Sequence, residues 1–113
     1  MKDEEIIKII KDTIEELPQD FKRKLKDVEI FVKDYPEGDH ADSVLGIFKG
    51  IPLTRKTVFS LYLHPDTIVI YRKNVEKFSR NEEEAKSLLK RVLLHEIGHY
   101  FGLSERDLRR LGY

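Results

Sequence analysis

The sequence contains no cysteine. That excludes disulfides, thiolate metal ligands and cysteine nucleophiles together, and it suits a reducing compartment. Charge of neither sign is in excess, because 21 Lys and Arg offset 21 Asp and Glu. No net field argues for nucleic acid or an anionic membrane as a partner. No apolar run approaches the roughly 20 residues needed to cross a bilayer. Met1 to Glu5 is acidic and lacks an apolar signal core. These absences predict a soluble, cytoplasmic protein. Asn, Gln and Met are scarce while Lys and Glu abound, a bias that predicts a thermophile source. No repeat or low-complexity segment interrupts the 113 residues, which suffice for one domain, 1–113, with one core.

What is present alternates between two periodicities. Ile6, Ile7, Ile10, Ile14 and Leu17 recur at helical spacing and predict a helix over 3–17. Pro18 ends it and suits the first turn of a short second helix through Phe21 and Leu25. Val28 to Val32 alternates and is β-branched, as a strand requires. A polar, turn-rich loop over 35–43 follows, then a short strand over 44–48, closed by Gly50 and Pro52. Leu53 to Thr57 reads as irregular, 58–63 as a further strand, and 67–71 as the strongest strand. A helical turn is expected over 74–79. The aromatic stripe of Phe21, Phe31 and Phe48 reads as core.

Asn81, with Glu84 three residues on, forms a variant capping box at the start of the longest helix. Its first half keeps a polar face of Glu83, Lys86, Ser87 and Lys90. In its second half Val92, Leu93, Leu94, Ile97, Tyr100 and Phe101 surround most of the circumference. His95 and His99 fall on a side that would otherwise be core. Four residues apart, they lie one turn apart on one face, where two imidazoles can share a metal ion. With Glu96 they make the H-E-x-x-H pattern, whose Glu acts as general base for hydrolysis. Neutral imidazoles suit Zn²⁺. Glu96 sits about 100° round the helix from His95, so it reaches toward a water on the metal rather than the metal itself. Gly102 can turn the chain back through a positive φ. That places Glu105 to supply a third ligand. Asp107 is the alternative, although with Ser104 it also reads as a capping acid of a last short helix ending near Leu111. Gly98 projects away from the histidines and admits close packing. Oxyanion donors could come from His40, His64, Arg55, Tyr71, Tyr100 or Tyr113, each of which also reads as an ordinary surface or packing residue.

The chain resembles the minimal zincins, short zincin-like zinc metallopeptidases. The likeness covers most of the chain. It rests on Gly46, Pro52-Leu53-Thr54, Pro65-Asp66-Thr67-Ile68, the run from His95 to Gly102, and Arg109-Arg110-Leu111-Gly112-Tyr113. It implies an α+β fold with a small sheet packed on an active-site helix and further short helices. It also implies a peptide or protein substrate laid along an exposed strand edge. His95 and His99 match the zinc-ligand positions and Glu96 the base. Glu105 stands where extended zincins place a third His or Asp. The methionine turn of those larger relatives is absent, since Met1 is the only methionine.

The expectation is therefore a zinc metallopeptidase with ligands His95, His99 and Glu105 and base Glu96. One rival is a non-catalytic zinc- or peptide-binding module. Another is a metal-dependent endoribonuclease, which the neutral charge and the Glu after the first His disfavour.

Overall fold

The computed structural model describes residues 1–39, 41–57, 60 and 65–113. The strand expected over 58–63 and the side chains of His40 and His64 lie outside the described residues. Helix α1 spans Asp3–Glu15, and α2 spans Gln19–Lys24 with Pro18 at its N-cap. A single 3₁₀ turn leads into strand β1, Val28–Lys33. Strand β2 is Gly46–Lys49, and a second 3₁₀ turn covers Leu53–Arg55 where irregular chain is expected. Strand β3 is Asp66–Tyr71, followed at once by α3, Arg72–Lys77. The long helix α4 is Glu82–Tyr100, and α5 is Glu105–Leu111. The class is α+β, as expected.

The sheet has the order β1-β3-β2. Strand β3 is central, parallel to β1 and antiparallel to β2. Flanked on both sides and sheltered on both faces, it needs the near-continuous apolar run Ile68-Val69-Ile70-Tyr71, all buried. Register then decides which side chains face the helices. Ile30, Ile68 and Phe48 align across the three strands on the inner face, as do Val32, Ile70 and Gly46. Phe31, Val69 and Ile47 align on the opposite face.

This corrects the expected aromatic core. Phe48 packs inward and meets Tyr100 edge-on at 5.8 Å between ring centroids. Phe31 is 45% exposed, because strand alternation turns it to the outer face. Phe21 is 42% exposed, resting edge-on against Phe101. On α1 the inward face is Ile6 and Thr13, with Ile9, Ile10 and Ile14 partly buried; Ile7 points to solvent. The buried Thr13 hydroxyl donates to the Ile9 carbonyl, so it costs no unsatisfied polar group.

Helix α4 lies on the inner face. Leu89, Val92, Leu93, Ile97 and Tyr100 join Ile6, Ile68, Ile70 and Val75 in one core. Two ion pairs, Lys86 with Glu5 and Lys90 with Glu16, link its polar face to α1. Gly46 brings β2 close to the helix, since a Cβ there would lie 2.7 Å from Val92 Cγ1.

Gly98 does the same for α5. A Cβ at that position would lie 2.4 Å from Cδ2 of the buried Leu108. Gly98→Ala is therefore expected to cost about 1–3 kcal/mol by overpacking, read as a lower denaturation midpoint with an unchanged m-value. A midpoint equal to wild type would refute this packing role.

Candidate metal centre

The C-terminal end of α4 is built by local hydrogen bonds. Gly102 has φ +93°, its N–H donates to the His99 carbonyl at 3.0 Å, and the Leu103 N–H donates to Gly98 at 2.9 Å. This pair of bonds is a Schellman motif, which closes the helix and reverses the chain. Ser104 then caps α5. Its hydroxyl accepts from the Asp107 N–H at 3.1 Å, and the Asp107 carboxylate accepts from the Ser104 N–H at 3.0 Å. Asp107 is thereby committed to the cap. Glu105, the first residue of α5, is free to point back at the helix just left.

Three side chains meet there. Glu105 Oε1 lies 3.0 Å from His95 Nε2 and 2.6 Å from His99 Nε2, and the two Nε2 atoms are 3.2 Å apart. Among the described residues, His95, His99 and Glu105 are grouped as a set able to hold a metal ion. The other ring nitrogens are engaged by the main chain. His99 Nδ1 is 2.9 Å from the Leu103 carbonyl, and His95 Nδ1 is 3.1 Å from the Tyr113 main-chain oxygen. A carbonyl only accepts, so each Nδ1 carries the hydrogen. Both Nε2 lone pairs are then left facing one another and a carboxylate oxygen. Three acceptors this close repel unless a cation sits among them.

That arrangement fits a metal. Ligands about 2.0–2.1 Å from a tetrahedral zinc are about 3.3 Å from each other. The three separations here are at or inside that value, and the Glu105 side chain, 64% exposed, has room to give way. The main-chain oxygens on both Nδ1 atoms orient the rings as supporting partners do around metals. In a metal-free site a proton performs the same task. Burial opposes charge on His95, but the Glu105 carboxylate and the Tyr113 oxygen outweigh it and raise its pKa. The His95 hydrogen bond, followed by that of His99, lowers the pKa of Glu105.

Glu96 stands apart from this trio, at 7% exposure, in a wall of the same cleft. Burial raises its pKa above the ordinary glutamate value. The histidines and a hydrogen bond from the Phe48 main chain only partly offset that rise. The cleft has a volume of about 870 Å³. Its walls are β2 with the preceding Val44 and Leu45, the segment Gly50 to Arg55, and the α4–α5 turn.

Of the remaining expected donors, Arg55 and Tyr113 line this cleft. Tyr71 is buried in β3, and the Tyr100 hydroxyl is committed to the Lys24 carbonyl at 2.9 Å. Three features escape a reading of the sequence. The Leu103 and Tyr113 main-chain oxygens belong to residues whose side chains say nothing of the role. Arg91 also lines the cleft, and its position four residues before His95 could have signalled it.

Comparison with known proteins bears on the fold and the family. A solved structure of a conserved hypothetical protein from Thermus thermophilus is similar over 98% of this chain and 97% of its own. The TM-score is 0.59 and the identity 24%, a likeness of fold alone. No curated protein matches the chain. The family model of zincin-like metallopeptidases, proteins that typically hold zinc, matches residues 25–113. With that match running from the turn after α2 to Tyr113, the chain belongs to the zincin-like metallopeptidase family.

Proposed function

We propose that this protein is a zinc-dependent peptidase. His95 Nε2, His99 Nε2 and a Glu105 oxygen hold the metal, and Glu96 is the general base. The observation that carries the reading is the convergence of His95 Nε2, His99 Nε2 and Glu105 Oε1, each within 3.2 Å of the other two. A zinc ion held there would supply Lewis-acid activation of a peptide carbonyl and of a water. Glu96 would take the proton of the attacking water as the water oxygen bonds to the carbonyl carbon. The same carboxyl then delivers the proton to the departing amine nitrogen as the C–N bond breaks. Burial favours the uptake of the proton, since it makes Glu96 a stronger base than an exposed glutamate.

The sheet supports a placement for the substrate. Among the described residues, β2 has a partner strand on one side only, β3, and it lines the cleft. An extended peptide adds to such an edge through its main chain, which bears the repeating amides that the chemistry requires. The test is a peptide-library digest with the zinc-loaded protein, read by mass spectrometry beside an RNA control. Cleaved peptides and intact RNA are expected. Cut RNA with intact peptides would replace this reading with the nuclease, and no cleavage of either would leave a binding module.

A further inference from the structure

We infer that the cleft selects peptides carrying acidic side chains on both sides of the scissile bond, read by Arg91 and Arg55. This rests on the peptidase reading and adds a substrate class to it. Both arginines are exposed, and both line the cleft. Elsewhere Arg23, Arg72, Arg80 and Lys56 are each paired with a carboxylate. Among the described residues, no hydrogen bond or ion pair engages the side chain of Arg55 or Arg91. Among the described residues their charge is uncommitted, and both line the space a substrate would enter.

Their positions bracket the reacting centre. Arg91 is one turn before His95 on the same face of α4, an axial offset of about 6 Å. Arg55 follows Thr54, whose side chain abuts Gly102 just beyond the other end of the helix. Strand β2 runs in the same direction as α4. Gly46 sits against Val92 and Glu96, and Phe48 sits against Tyr100. A peptide extended along β2 rises about 3.3 Å per residue. Residues about two positions from the scissile bond then pass Arg91, and residues on the other side of that bond pass Arg55. The acidic side chains of the cleft are Glu96 and Glu105. Both carboxylates lie at the metal centre, where a bound zinc ion would offset their charge. Acidic side chains spaced along a peptide meet only the arginines.

Binding tests this without turnover. Labelled alanine-based peptides bearing Glu on both sides of a central bond, and matched peptides bearing Lys, are titrated against the zinc-loaded Glu96→Gln protein by fluorescence anisotropy at low salt. The Glu series is expected to bind about tenfold more tightly, from about threefold per arginine. Arg55→Glu with Arg91→Glu should reverse the preference, while zinc content and thermal melting stay at the wild-type level. Equal affinity for the two series, a preference unchanged in the double variant, or no binding of either at millimolar peptide overturns the inference. Tighter binding of a single-stranded RNA of similar length assigns the arginines to phosphate and overturns it too. Failure of the library digest alone bears on the peptidase reading, because this measurement needs no cleavage.

Discussion

Glu96→Gln is expected to lower peptide turnover by a factor on the order of 10²–10⁴, the usual contribution of a positioned base, while zinc stays bound at one ion per chain. Glutamine keeps the shape of the side chain and can still accept from the Phe48 main chain, so the cleft wall survives. What it loses is the ability to take and return a proton. A variant that keeps wild-type turnover would remove Glu96 from the mechanism. The pH dependence has a definite sign. The carboxylate must be unprotonated to act, and burial raises its pKa. Turnover therefore falls as pH drops through the Glu96 pKa, which burial pushes up and a bound cation would pull down. Stability moves the other way. A carboxyl with a raised pKa in the folded chain favours folding below its unfolded pKa, and that contribution is lost as pH rises through the folded value. At neutral pH the buried charge weakens the metal-free fold, so Glu96→Gln should raise the Tm measured in chelator at pH 7. The gain should vanish at a pH below the ordinary glutamate value.

Glu105→Ala is expected to weaken zinc by more than about 100-fold, since even loss of an outer partner of a ligand costs 10–100-fold. Competition with a chromogenic chelator measures it. Two imidazoles alone leave the ion short of the three protein ligands of an open zinc site. The fold should tolerate the change, because the Glu105 side chain is mostly exposed and the cap of α5 belongs to Ser104 and Asp107. Asp107→Asn is the control. It should leave zinc affinity within about twofold while weakening the cap by roughly 1 kcal/mol. If Asp107→Asn lost the zinc and Glu105→Ala kept it, the ligand assignment would have to be exchanged.

The elements that carry the site are legible in the chain because their causes are local. The cap at Asn81, the apolar stripe of α4, the spacing of His95 and His99, and the stop at Gly102 depend on neighbours a turn or less away. Strands β1 and β3 are legible for the same reason. Strand β2 is shifted to 46–49 from the expected 44–48, because pairing with β3 sets its limits. Helix α3 begins at Arg72 instead of Asn74, directly from the end of β3.

By itself the sequence determined which face of one helix carries both imidazoles, the acid beside them and the turn that follows. It did so because helical geometry converts a spacing of four into one face, and because glycine alone enters positive φ without strain. Tertiary structure decided everything that depends on contact between elements. Leu108 packed on Gly98 holds α5 against α4 and brings Glu105 to the histidines, a distance that no spacing along the chain encodes. The main-chain oxygens on both imidazoles, the burial that raises the pKa of Glu96, and the placing of Arg55 and Arg91 in one cleft arise in the same way. Each is a property of the space between segments, and only the packed core defines that space.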